Sequence, residues 1–185
     1  RFDPRCNQVV RRMSRWTYDL TLSEAIDFKG IVSRLTEDPL QVERAGRLVV
    51  PVFIEEQAYL AMVEAIDAWT LRVDGTGPQA AVLAQLKRRF RLSEPNPAKR
   101  LKTTSLHAIV ERFGDERLVL DHSPFTALIR SIIHQQINLS FAHTLTERVF
   151  RTFGTIQDGI ILPPTPRQLS AAHREDLLAL QLSGR

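Results

Sequence analysis

The segment Gln135-Gln136-Ile137-Asn138-Leu139-Ser140 brings three side-chain amides and a hydroxyl together between two stretches of helical apolar spacing. Amides donate and accept at once, so they can bond to base edges of nucleic acid, and the free N–H groups at a helix start can hold a phosphate. The same residues can equally cap helix ends inside a turn. Spacing alone leaves both readings open. Other chemistries lack a pattern. His107, His122, His134, His143 and His173 have no metal-ligand spacing and no cysteine or clustered acid beside them, so structural or surface roles are expected, with no metal and no cofactor. Ser123, Ser131 and Ser140 lack the context of a nucleophilic serine, and no glycine-rich phosphate loop occurs.

Two helices must position the amide run. Ser123 offers an N-cap and Pro124 a first helical residue, followed by apolar positions 125, 128, 129, 132 and 133, which predicts a deeply packed helix with Leu128 and Ile132 in the core. A second helix is expected from near Ser140 to Phe153, with Ala142, Leu145, Val149 and Phe153 inward and Gly154 at its end. Upstream, Thr76 to Thr103 holds seven bases (Lys87, Arg88, Arg89, Arg91, Lys99, Arg100, Lys102) and one acid, Glu94, a local balance of +6 in a chain of net charge +4. Such a stretch can neutralise phosphates, or it can be a solvated helix face and linker.

The first 75 residues read as strand, helix, then three strands: Trp16 to Leu22, Phe28 to Leu35 capped by Asp27, Arg47 to Glu55, Tyr59 to Ile66, and Thr70 to Asp74. Pro51 has no N–H for a ladder and belongs at an edge or bulge. After Pro78, Ala81, Val82, Leu86 and Phe90 mark a helix, and Ser105 to Phe113 another that stops at Gly114. Pro163-Pro164-Thr165-Pro166 leads into a short helix, and His173 to Leu180 forms one more. The fold class is therefore α+β: a small antiparallel sheet domain with a flanking helix, 1–75, then a mainly α-helical domain, 76–185, with 91–104 as a possible linker.

With 185 residues, 43% hydrophobic and 25% charged, the chain has the composition of a folded protein, neither disordered nor fibrous. Its longest apolar run, Leu48 to Ile54, is far short of the roughly 20 residues that cross a bilayer, so no membrane association is expected. The lone Cys6 points to a reducing compartment, the cytoplasm.

Phe125 through Ser140, followed by Ala142 to Phe153-Gly154, resembles the first core helices of the bacterial alkylbase DNA glycosylases, the 3-methyladenine DNA glycosylase II group of the helix-hairpin-helix superfamily. Pro164-Thr165-Pro166, Leu169 and Leu177 to Leu180 continue the resemblance, and Tyr18 to Leu22, Phe28 and the strands to Gly75 are similar to that group's small N-terminal sheet domain. The resemblance implies a base-excision repair enzyme that hydrolyses the N-glycosidic bond of alkylated bases such as 3-methyladenine in double-stranded DNA, acting as a monomer. It implies that Gln135 keeps the family glutamine and Gln136 falls at the wedge that enters the duplex, with Asn138 and Ser140 along the same minor-groove edge. Phe28 and Trp16 could stack on a base, or belong to the sheet core. The Gly-rich hairpin and the catalytic aspartate of the family are expected beyond Arg185, so this segment is read as truncated and inactive alone. Asp115, Asp121 and Asp158 match no such motif and receive no catalytic role. Two other readings stay open: a noncatalytic DNA-binding module and a protein-interaction domain.

Overall fold

The structure, a computed structural model, describes residues 15–55, 57–113, 117–135 and 137–182. Strands β1 (Arg15–Thr21), β2 (Val42–Arg44), β3 (Arg47–Ile54), β4 (Gln57–Ala65) and β5 (Thr70–Thr76) form one antiparallel sheet in the order β1-β5-β4-β3-β2. Alternation decides its faces. Leu20, Leu48, Val50, Val52, Ala61, Val63, Leu71 and Val73 point to one side and are buried there with Phe28 and Ile31 of α1 (Phe28–Leu35). The opposite side carries ion pairs, Arg47 with Glu64 (3.1 Å) and Asp74, and Arg72 with Asp19 (2.8 Å). Phe28 and Trp16 both pack with the sheet core, and the Trp16 indole donates to the Gly77 carbonyl at 2.9 Å. Pro51 pairs with Leu60 of β4, while β2 covers β3 only as far as Val49, so Pro51 turns its missing N–H to an uncovered edge.

Helix α2 (Gln79–Arg89) follows the last strand, yet its Val82, Leu83 and Leu86, with Phe90 just beyond it, lie in the sheet core. After α3 (Pro97–Leu101) and α4 (His107–Phe113) come α5 (Pro124–Ile133) and α6 (Leu139–Phe153), whose Ile133, Leu145, Val149 and Phe150 form a second core with Leu40. Short helices α7 (Pro166–Ser170) and α8 (Arg174–Ala179) end the described chain. Gly114 lies outside the described residues.

Besides β2 and α3, which the sequence reading did not place, two features differ from it. The mainly helical domain expected over 76–185 contains a hairpin, β6 (Thr155–Gln157) and β7 (Ile160–Leu162), turned by Asp158 and Gly159 at φ +49° and +73°. Both central residues with positive φ make the tight turn whose twist suits antiparallel strands, which is why Gly occupies the second place. Ile160 and Leu162 then cover Val49 on the second sheet face. Gly154, before β6, is required for closeness: a Cβ there would stand 2.1 Å from the Leu162 carbonyl oxygen. The second difference is a correction. Leu128 and Ile132 are not core residues but 56% and 54% exposed. Helix α5 is apolar on several faces, and only the one bearing Thr126 and Ile133 is buried.

Candidate nucleic-acid interface

The connection from α5 to α6 is held from below. Ser123 caps α5 by accepting from the Thr126 N–H at 3.0 Å, and Pro124 occupies the first helical position. At the other end, His134 is the C-cap, and its Nε2 lies 3.1 Å from the Thr146 hydroxyl in α6. That hydroxyl donates to the Ala142 carbonyl at 2.8 Å, so it must accept from His134, which puts the ring proton on Nε2. Burial, then the charges of Arg130 and His143, hold His134 below its ordinary pKa. Ile133 and Ile137 are drawn into the second core.

With those anchors inward, the polar residues face solvent. Gln135, Asn138 and Ser140 are all exposed. Asn138 caps α6, its side-chain oxygen accepting from the Phe141 N–H at 2.9 Å, so the capping reading holds for this residue and coexists with an exposed side chain. Gln136 lies outside the described residues. Leu139, which the sequence reading passed over, stands between Asn138 and Ser140 and is 64% exposed. Its signal was its place at the first position of α6, outside the Ala142-Leu145-Val149 stripe.

A polar cluster ties this helix pair to the sheet. Arg89, buried at the end of α2, donates to the His122 ring and to the Gln41 side chain at 2.9 Å, and burial pushes its pKa down to about 10. Arg130 of α5 pairs with Asp38, and its Nε is 3.9 Å from Asp121. Burial raises the Asp38 pKa, but the Arg130 charge and the Leu40 N–H outweigh it and leave the carboxyl below its ordinary value. Asp121 accepts from the His122 N–H at 3.2 Å, as a residue of the turn before α5 would. Asp158 sits in the hairpin turn, where Arg44 donates to its carbonyl, and Asp115 lies outside the described residues.

Burial and the neighbouring Arg89 charge hold His122 well below the ordinary histidine pKa, against the opposing pull of the Pro51 carbonyl 3.2 Å away. The folded protein therefore resists a proton that the unfolded chain takes up near 6.5. Stability is complete above about pH 6.5 and falls as the pH drops below it, with His134 adding in the same direction. Urea unfolding at a series of pH values checks this: His122→Gln should flatten the acid slope, and an equal flattening by His107→Gln, at an exposed site, would refute the assignment.

Among the described residues no group of three or more His, Cys, Asp or Glu could hold a metal ion. No helix among them is long and apolar enough to cross a membrane. A concavity of about 770 Å³ lies beside the sheet, lined by residues that include Arg15, Arg44, Met62, Asp74 and Asp158, and Gln135, Asn138 and Ser140 do not border it.

No family model matches the chain. A Bacillus subtilis protein named "Putative DNA-3-methyladenine glycosylase YfjP" is 34% identical over 179 residues, covering 92% of this chain and 62% of that protein. A 3-methyladenine DNA glycosylase from Archaeoglobus fulgidus has the same fold, with a TM-score of 0.77 at 22% identity over 90% of this chain and 62% of its own. The chain is similar in sequence to the Bacillus protein and in fold to the Archaeoglobus enzyme. The fold extends to an 8-oxoguanine glycosylase/lyase of Clostridium acetobutylicum, with a TM-score of 0.64 at 15% identity over 91% of this chain and 60% of that one. That enzyme bound to double-stranded DNA matches with a TM-score of 0.58 at 17% identity, over 76% and 49% of the two chains. The chain spans about 62% of the length of the Bacillus and Archaeoglobus proteins. Its α+β architecture is the one the sequence implied, a small antiparallel sheet followed by helices.

Proposed function

We propose that this chain is the base-probing part of a DNA glycosylase that hydrolyses the N-glycosidic bond of alkylated bases in duplex DNA. The observation that carries the reading is the α5–α6 turn, which holds Gln135, Asn138 and Ser140 out to solvent while Ile133, His134 and Ile137 anchor it. The Bacillus relative supports the choice of alkylated bases. Residues 1–75 would then serve as the sheet platform and 76–185 as the probing part, with α2 locked onto the platform.

Chemistry on a base requires the nucleotide to leave the stack, which costs a few kcal/mol and least at a damaged pair. A side chain that fills the gap lowers that cost. An amide at Gln136 can also bond to the orphaned partner base, while Gln135, Asn138 and Ser140 meet the minor-groove edge and Leu139 adds apolar contact of the kind that separates base steps. Cleavage then builds an oxocarbenium-like charge on the sugar as the base departs. An alkylated base that is already cationic leaves more readily than a neutral one, so binding and bond weakness together can select it. This chain's own part in that reaction, on this reading, is recognition and opening.

Gln136→Ala should reduce the preference for a duplex with an abasic-site analogue over undamaged duplex about tenfold, equivalent to about 1.4 kcal/mol, with little change in melting temperature. Titration of both duplexes against the variant and the parent tests it. An unchanged preference beside a large loss of stability would make Gln136 a packing residue. Release of free alkyladenine from methylated duplex by the gene product carrying this sequence tests the reaction. Preserved duplex binding with no release would favour a noncatalytic DNA-binding module, a reading that the basic surface of α2 and α3 also suits.

A further inference from the structure

The seven bases between Thr76 and Thr103 divide into two sets. Three are turned to internal partners. Arg89 is buried against His122 and Gln41, Arg91 pairs with Glu94, and Lys99 reaches Glu24 at 2.9 Å. The other four, Lys87, Arg88, Arg100 and Lys102, are exposed, and among the described residues none has a carboxylate partner. Arg88 keeps only a 3.5 Å approach to the His122 carbonyl. The two acids that this segment touches, Glu24 and Glu94, are already engaged, and hydrogen bonds from Lys99 and Arg91 hold their carboxyls below the ordinary range. Among the described residues, four positive charges therefore stand in solvent with no carboxylate paired to them.

The inward set fixes the outward one. Arg117, itself buried, donates to the Arg91 carbonyl at 2.6 Å and the Glu94 carbonyl at 3.0 Å, and approaches Glu24 at 3.4 Å. Glu24 also accepts from the Asn96 N–H at 3.2 Å, and Asn96 caps α3 through the Ala98 N–H at 3.0 Å. The connection from α2 to α3 is thus pinned at both ends, and the four free bases ride on two helix ends of fixed relation. A merely solvated basic linker would need no such clamp.

Their position relative to the amide turn is set by α5. Arg88 meets His122 one residue before the α5 cap, and the amide turn follows the other end of that helix. Ten helical residues span about 15 Å, the rise of about four base pairs. A duplex probed at Gln135 to Ser140 therefore brings its flanking backbone within reach of the basic helix ends.

We propose that Lys87, Arg88, Arg100 and Lys102 form a second, sequence-independent contact surface that holds phosphates of the duplex flanking the probed base pair. The inference rests on the base-probing reading above and names a contact outside that turn. Backbone neutralisation releases counterions, so its signature is the slope of log affinity against log salt, about 0.9 per phosphate contact.

The test measures affinity for undamaged duplex between about 50 and 200 mM salt. The quadruple variant Lys87→Ala, Arg88→Ala, Arg100→Ala, Lys102→Ala should shallow the slope by about 3 to 4, and each single change by about 1. Lys29→Ala with Arg167→Ala, two exposed bases elsewhere, should leave it alone. The ratio of lesion to undamaged affinity should survive the quadruple change, because phosphate contacts carry no base information. A quadruple variant with the parent slope would overturn the proposal, as would a parent chain whose duplex affinity ignores salt. A slope that falls as described in a chain with no lesion preference would uphold this surface while removing the base-probing reading. Equal slopes and affinities on single-stranded RNA would reassign the surface to polyanions in general and overturn its commitment to duplex.

Discussion

Phe90→Ala is expected to lower the unfolding free energy by about 3 to 5 kcal/mol, whereas Leu128→Ala should change it by less than about 0.5 kcal/mol. The contrast follows from where each side chain stops. Phe90 has no exposed surface and meets Phe28 edge-on, with ring centroids 5.5 Å apart at 68°, so it joins α2 to α1 over the sheet. Its companions in that core include Val50, Val63, Val82 and Leu86, themselves fully buried on strands and a helix that the ladders and α2 fix. Such a site cannot collapse around a missing ring, so the cavity cost adds to the lost transfer energy. Leu128 lies 56% exposed, and shortening it removes little surface from the interior. Urea titrations of both variants decide the matter. A Leu128→Ala loss above about 2 kcal/mol would return that residue to the core, and a near-neutral Phe90→Ala would mean the α2 seat on the sheet is loose.

Much of this arrangement was legible because it is written locally. The period-two runs of β3, β4 and β5 announce a sheet, and the Asp27, Ser123 and Thr165 caps announce their helices, each now seen accepting the expected backbone N–H. The 155–162 hairpin was also written locally, since Asp158-Gly159 between Thr155-Ile156-Gln157 and Ile160-Ile161-Leu162 is a strong two-residue turn signal that the surrounding helices obscured. Strand β2 offers only Val42-Glu43-Arg44, too short for alternation to register, and exists because Ala45 and Gly46 fold it back on β3. The burial of α5 was not readable. A helix apolar on several sides gives no unique inward face, and which side is covered depends on α6 packing from a distance. The amide turn was legible as a turn, while its exposure depends on the His134–Thr146 bond and on Ile137, contacts that no local pattern specifies. Least visible of all was the cluster joining Asp38 to Arg130 and Arg89 to His122, pairs 92 and 33 residues apart in the chain.

That cluster carries the other large expectation. Arg130→Met should destabilise the protein by about 3 kcal/mol, because it leaves Asp38 charged and without its partner in a site where neither side chain is more than 18% exposed. Arg130 also stands near Asp121 and over the Phe150 ring, 6.0 Å from its centre, so the methionine restores packing but no charge. The double variant Arg130→Met with Asp38→Leu should be more stable than Arg130→Met alone, since removing both charges also removes the desolvation that the lone carboxylate suffers. The pH dependence checks the pair. Asp38 has a lowered folded pKa, so the pair's contribution is complete above the unfolded value of about 3.8 and declines as the pH falls through the lower folded value. The gap between parent and Arg130→Met should narrow as the pH falls, beginning above 3.8, because without Arg130 burial raises the carboxyl of the unpaired Asp38. A gap that stays constant or widens as the pH falls would show that Asp38 does not rely on Arg130 for its charge, and a double variant less stable than the single would show that Asp38 is held by its bond from the Leu40 N–H rather than by Arg130. Because Asp38 follows α1 and Arg130 lies on α5, the same measurement reports how firmly the sheet platform holds the helix that presents the amide turn.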